Sequence, residues 1–255
     1  VPTLSRVFLY SDLTETFEPT SAPFIAAAGG RSARIAWLVP RPHGWARFLP
    51  LYRDPWLRLG AAEVVPIVPA GDPPALSGEA IEALARCSGI FVCGGDTRDY
   101  HRLYVRGPAR DVIRARHAAG VPYAGLSAGA LIASDPCTVW GDRLTTLGNA
   151  CLLRGADDGC RAELETGEGL GLIGGCLVEP HLSERGGFPR LVAAMERIGA
   201  ARGLGIDDAI CAEIEDRSLV RIHGRGRAYL LEAAGSGRLG VRVFEPGAVF
   251  RLGEG

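Results

Sequence analysis

Three features are missing from this 255-residue sequence, and each absence narrows what the protein can be. There is no CxxC pair. The seven cysteines (Cys87, Cys93, Cys137, Cys151, Cys160, Cys176 and Cys211) are an odd set in mostly apolar surroundings, at no metal-ligand spacing to the five histidines. That argues against a disulfide framework and a zinc site, and leads to the expectation of free thiols in a reducing compartment. No apolar run approaches the roughly 18 uninterrupted residues of a membrane helix. The opening "VPTLSRVFLYSDLTE" has no basic stretch followed by a long apolar one, so no membrane partner and a cytoplasmic location are expected. Charge of one sign is also lacking: 28 Lys and Arg face 29 Asp and Glu, a formal net charge of −1. The basic residues are spread along the chain, so no nucleic-acid footprint is expected and a small-molecule or peptide ligand is favoured.

What is present is an alternation of short apolar runs with longer amphipathic segments, the pattern of strands and helices in a parallel sheet. "RVFLYS", "ARIAWLVP", "AEVVPIVPA", "GIFVCGG" and "VPYAGL" read as strands. Between them, "PFIAAAGG", "GWARFLPLYRDPWLRLG", "LSGEAIEALARC" and "TRDYHRLYVRGPARDVIRARHAAG" read as helical, the last interrupted near Gly107-Pro108. Ser77 is placed to cap the third helix, with Glu79 and Glu82 near its positive end. From about Ser218 the period changes to two, in "SLVRIHG", "RAYLLE" and "VRVFEPGAVFRL", which predicts antiparallel strands added at one edge. With no repeat, low-complexity tract or linker, residues 1–255 are expected to form one α/β domain. The predicted fold is a three-layer sandwich, with a mostly parallel sheet flanked by helices, an antiparallel C-terminal edge and a nucleophile elbow after a central strand.

That elbow is "GLSAG", a G-x-S-x-G motif after a strand and before a helix. A serine on so tight a turn is strained, and Gly125 and Gly129 are expected to relieve clashes and let a substrate carbonyl approach. Helix N–H groups beginning at Ala128 point to the same place. Ser127 needs a base held by a carboxylate. His181, after the apolar strand "GLIGGCLVE", stands at a strand's carboxyl end, where α/β folds gather their sites. His43 (in a Pro-rich loop), His101 and His117 (in the helical stretch) and His223 (in an edge strand) read as surface or packing residues. "GLGIDDAICAEIED" offers Asp207 and Asp208 as the orienting acid, and strand alternation allows at most one of them to face the histidine.

Four segments, "GIFVCGGDTRDYHRL", "GVPYAGLSAGALIAS", "GLGLIGGCLVEPHLSERGGFPRLVAAM" and "GLGIDDAICAEIED", together resemble the family of cyanophycinase and α-aspartyl dipeptidase (peptidase E). These are serine peptidases on a class I glutamine-amidotransferase-like fold. The resemblance implies Ser127 as nucleophile, His181 as general base and acid, and Asp208 in the position of the family's glutamate. It also implies oxyanion donors at the N–H groups of Gly95 and Ala128, and substrate contacts from Asp96 and Thr97. Arg98, Arg102, Arg185 and Arg190 are the candidates for holding a substrate carboxylate, and Glu179 flanks the base where cyanophycinases tend to show Asp-Gln before the histidine. Gly187 stands where another arginine is typical, so cyanophycin itself is not the expected substrate.

The function expected is a serine exopeptidase of dipeptidase or isopeptidase type. It would act on small peptides by a Ser-His-Asp acyl-enzyme mechanism, with no metal and no organic cofactor. Two alternatives remain at this point: an α/β-hydrolase esterase using His223 and Asp207, and a catalytically degenerate ligand-binding protein of the same fold. A homo-oligomer is left open.

Overall fold

The computed structural model describes residues 4–141, 164–235 and 237–253. Five parallel strands form the core of an eight-stranded sheet: β1 (Arg6–Tyr10), β2 (Arg34–Leu38), β3 (Glu63–Ile67), β4 (Gly89–Val92) and β5 (Tyr123–Leu126), in spatial order β1-β5-β4-β2-β3. All four residues of β4 and of β5 are buried, which is why these strands read as continuous apolar runs instead of alternating ones. Connecting helices α1 (Phe17–Ala27), α2 (Leu49–Arg58), α3 (Gly78–Ala85), α4 (Thr97–Tyr100), α5 (Ala109–Ala118) and α6 (Ala128–Leu131) flank the sheet. Ser77 caps α3 as expected, its Oγ accepting from the Ala80 N–H at 3.2 Å. The long helical stretch runs through α4 and a π-helical turn at His101–Val105 before α5, with the break at Gly107-Pro108. The helix in "GWARFLPLYRDPWLRLG" starts only at Leu49, and residues 40–48 precede it as loop and turn. Packing of α1 and α2 is aromatic: the Phe91 ring lies 4.8 Å from Trp56 and 5.4 Å from Tyr52 between centroids.

The antiparallel C-terminal edge is present, but only some of the C-terminal strands form it and the others join a second sheet. β10 (Ile210–Glu215) pairs antiparallel with β1 and is followed outward by β11 (Leu219–Gly224) and β14 (Val249–Arg251). β12 (Ala228–Ala233) and β13 (Leu239–Phe244) instead join β8 (Leu177–Pro180) and β9 (Arg202–Ile206) in a four-stranded sheet of order β13-β12-β9-β8. Helix α7 (Phe188–Ile198) packs on that sheet through Leu191, Ala194 and Met195. A short hairpin, β6 (Cys137–Trp140) with β7 (Glu165–Gly167), completes the described elements.

Register brings the carboxyl ends of the central strands together: Leu9 and Val92 both align with Gly125, and Tyr10 aligns with Leu126. The glycines of the G-x-S-x-G motif serve this packing. A Cβ on Gly125 would lie 2.3 Å from the Gly129 carbonyl oxygen, and one on Gly129 would lie 2.2 Å from that of Val92. Their small size lets α6 rest on β4 and β5. Gly129→Ala is therefore expected to destabilise the protein by about 2–3 kcal/mol or more, since backbone cannot yield as a side chain can. Urea denaturation measures this, and an unchanged midpoint would contradict it.

Candidate active site

Ser127 follows β5 with φ 52° and ψ −103°, a conformation that non-glycine residues seldom adopt. Its own N–H donates to the Tyr10 carbonyl at 2.9 Å, which ties the elbow to β1. His181 follows β8, also at positive φ (55°), and its side chain is 1% exposed. The His181 N–H donates to Ser11 Oγ at 3.0 Å, and that hydroxyl donates to the Ile206 carbonyl at 2.9 Å. Ser11, the last letter of "RVFLYS", thus clamps the end of β1 to the second sheet.

The two sheets meet so that His181 Nε2 stands 3.0 Å from Ser127 Oγ, while Nδ1 stands 2.5 Å from Asp208 Oδ1. A carboxylate accepting from Nδ1–H leaves the Nε2 lone pair facing the serine O–H, the tautomer in which the ring can take a proton from the hydroxyl. Asp208 lies in the β9–β10 turn beside Ala209, another residue at positive φ (61°). Asp207 points elsewhere, accepting from the Ser183 N–H at 3.1 Å and the Tyr229 hydroxyl at 3.2 Å. His223 pairs with Glu213 at 2.8 Å across β10 and β11. The Asp207 and His223 of the esterase alternative are therefore engaged separately.

Gly94 and Gly95 follow β4, which pairs with β5, and a Cβ on Gly94 would lie 3.2 Å from that of Ser127. Gly95 has φ 150°. Among the described residues neither its N–H nor that of Ala128 donates a hydrogen bond. Asp96 caps α4 and holds Arg98, with Oδ2 2.8 Å from the guanidinium. That guanidinium holds the Asp96 carboxyl below the usual carboxylate range. Arg98 also stacks on Trp140 at 3.8 Å from the ring centroid.

A cavity of about 860 Å³ opens over Ser127 and His181. Asp96, Gly95 and Arg185 line it, whereas Thr97, Arg98, Glu179 and Arg190 do not. Arg102 reaches away to the Pro74 carbonyl at 2.6 Å. Arg190 and Glu179 depart from their expected substrate-binding role for a clear reason: they face each other inside the protein, the guanidinium gripping both carboxylate oxygens at 2.5 and 2.9 Å. Arg190 also donates to the Gly141 carbonyl. Arg190→Ala is expected to cost about 3–5 kcal/mol of stability, because it removes the guanidinium from a fully buried carboxylate. A raised KM with unchanged stability would instead restore the substrate-binding role.

Several cavity residues carried no signal in the sequence reading: Asp12, Arg41, His43, Trp45 and Arg47. Cys93 also lines the cavity, and burial pushes its thiol well above the ordinary range, which keeps it protonated and a poor rival nucleophile. Asp12, His181 and Asp208 bring ligand-type atoms within 4.8 Å of one another. Both ring nitrogens of His181 already face Ser127 and Asp208, so a cation held there would have to displace one of these contacts.

An elbow serine, a buried histidine and a carboxylate aligned at the strand ends of a mostly parallel sheet form a constellation used for acyl transfer. Residues 72–222 match the model of peptidase family S51. The chain belongs to that family. An S51 peptidase is a serine peptidase, and therefore a hydrolase. This S51 peptidase is 27% identical over 239 residues to a cyanophycinase from Synechococcus elongatus, covering 90% of this chain and 69% of that protein. A cyanophycinase from Trichormus variabilis is 28% identical over 151 residues, 59% of this chain and 47% of its own. Among solved structures, a peptidase from an acI-B1 Actinobacterium superposes with a TM-score of 0.73 at 16% identity, covering 98% of both chains. A putative peptidase E protein from Listeria monocytogenes gives 0.57 at 18% identity, over 87% of this chain and 99% of the other. At such identities the two structures speak for the fold alone. No described helix is long and apolar enough to cross a membrane.

Proposed function

We propose that this S51 peptidase is an exopeptidase acting on short peptides, with Ser127 as nucleophile, His181 as general base and acid, and Asp208 as the orienting carboxylate. The observation that carries this reading is the unbroken hydrogen-bond chain from Ser127 Oγ through both nitrogens of His181 to Asp208. Ser127 Oγ attacks the scissile carbonyl carbon as its proton passes to His181 Nε2. The imidazolium, stabilised by Asp208, then protonates the leaving amine as the C–N bond breaks. Water, deprotonated by the same nitrogen, releases the acyl group. The N–H groups of Gly95 and Ala128 are the oxyanion donors in this scheme, supported by Ala128 following Ser127 directly, by Gly95 lining the same cavity as Ser127 and by their lack of another acceptor among the described residues.

Asp96 and Arg185 supply polar contacts to the substrate from the cavity wall. Cyanophycin is not the substrate in this reading. Gly187 offers no guanidinium, a Cβ there would lie 2.8 Å from Glu179 Oε1, and Arg190 is held by Glu179, so neither position supplies a grip for a substrate carboxylate. A reducing, cytoplasmic setting fits the five described cysteines, all free and buried; Cys151 and Cys160 lie outside the described residues.

The test is hydrolysis of α-aspartyl dipeptides, β-aspartyl-arginine and dipeptides with neutral N-terminal residues. Serine-dependent cleavage of at least one short peptide is expected. Failure on all of them, with a folded protein, would overturn the exopeptidase assignment.

A further inference from the structure

The cavity wall contributed by residues 40–52 has a chemistry of its own. Trp45 stands edge-on to Trp37 with ring centroids 6.2 Å apart, and Trp37 packs on Tyr52 at 5.2 Å, so the wall is anchored to the core by aromatic contacts. Further out, Phe48 and Leu51 line the same cavity, yet they are 45% and 54% exposed. Large apolar side chains left open to water in a concave site favour an apolar ligand group that covers them.

Charge adds a direction to this. Of the cavity's arginines, Arg41 is held by Asp99 at 3.2 Å and Arg185 lies 3.9 Å from Asp12. Arg47 has no carboxylate partner among the described residues, and its guanidinium rests 4.6 Å from the centroid of the Phe48 ring. At His181 the balance is opposite: Asp12 and Asp208 both place carboxylate oxygens near the imidazole. A substrate carboxylate is repelled from the histidine and drawn to Arg47, while a substrate ammonium is drawn the other way.

We infer that residues 45–51 form the subsite for the C-terminal residue of the substrate, which is bulky, apolar and bound through its free carboxylate by Arg47. The inference rests on the peptidase reading and adds a substrate class to it: short peptides ending in leucine-like or aromatic residues. A guanidinium can grip such a carboxylate with two parallel hydrogen bonds, and the exposed faces of Phe48 and Leu51 would lose their water on binding.

The probes are the dipeptides Asp-Leu, Asp-Gly, Ala-Leu and Ala-Gly, each as free acid and as C-terminal amide. In the unaltered protein the leucine peptides should exceed their glycine counterparts in kcat/KM by about tenfold or more. Amidation should raise KM by about tenfold or more, with less effect on kcat. Arg47→Met should raise KM for the free acids and erase the difference between acid and amide. Phe48→Ser with Leu51→Ser, both exposed positions, should erase the preference for leucine over glycine.

Equal rates for leucine and glycine peptides, or equal KM for acid and amide, in the unaltered protein would overturn the inference without needing any variant. The two readings are separated by calorimetric binding of the same peptides to Ser127→Ala. Tighter binding of leucine acids that depends on Arg47 supports the subsite even where hydrolysis fails. Serine-dependent hydrolysis with no preference removes the subsite alone.

Discussion

Replacing Ser127 by alanine is expected to lower peptide hydrolysis by about three to six orders of magnitude while leaving the fold intact. The hydroxyl is the atom that attacks, and no neighbouring group can stand in for it: Cys93 is buried, with its thiol held in the protonated form. The structural cost is small, because Oγ makes one side-chain hydrogen bond, to His181 Nε2, and alanine keeps the Cβ that packs against Gly94. The strained φ of 52° is supported by the backbone N–H bond to Tyr10, which the substitution leaves in place. Circular dichroism and a thermal melt check the fold, and steady-state kinetics on the best peptide of the panel read the loss. A variant keeping a tenth of the activity would remove Ser127 as nucleophile. A residual rate well above that in water is still expected, since the oxyanion donors and the binding cavity remain.

Asp208→Asn should be the second largest effect, a fall in kcat of about three to four orders of magnitude with a much smaller change in KM. An asparagine can present its NH₂ to His181 Nδ1. The ring proton then moves to Nε2, and the nitrogen facing Ser127 can no longer accept the hydroxyl proton. The 2.5 Å contact between Nδ1 and Oδ1 marks a charge-assisted hydrogen bond, the kind whose loss is felt most. Asp207→Asn is a natural control, because Asp207 accepts from the Ser183 N–H and the Tyr229 hydroxyl and supports the turn, not the imidazole. Its effect should fall on stability. A folded Asp207→Asn that loses more kcat than Asp208→Asn would reverse the assignment of the orienting acid.

Much of the fold was legible because parallel strands buried on both faces are written as uninterrupted apolar runs, as in β1, β2, β4 and β5, while β3 carries such a run at the partly buried edge of the sheet. The elbow was legible from its context: G-x-S-x-G alone also fits a tight turn with a capping serine, but here it falls between a strand run and a helix run, with His181 after another strand run. The reason for its glycines was not: they accommodate the carbonyls of Gly129 and Val92, neighbours that only the folded sheet provides. The second sheet was hidden as well, since a period of two says that one face of a strand is buried but not which sheet buries it. β12 and β13 therefore read like β11, although they pair with β9 and with each other.

The same limit governs the charged residues. Glu179 and Arg190 lie on β8 and α7, eleven positions apart, and a local reading cannot distinguish two side chains aimed at a substrate from two aimed at each other. His43 read as a loop residue because the Pro-rich stretch around it carries no periodicity, yet its loop forms part of the cavity wall. Ser11 held no motif at all, and its bridge from β1 to His181 exists only because two sheets meet there.

The most direct test of the central claim, that Ser127 is a nucleophile activated by His181 and Asp208, is to map the site of covalent attachment of a small fluorophosphonate. Intact-mass and peptide mass spectrometry would be applied to the unaltered protein, Ser127→Ala and Asp208→Asn. The account predicts a single adduct on Ser127, none on Ser127→Ala, and strongly slowed labelling of Asp208→Asn. An adduct on a different residue that abolishes peptide hydrolysis would contradict it.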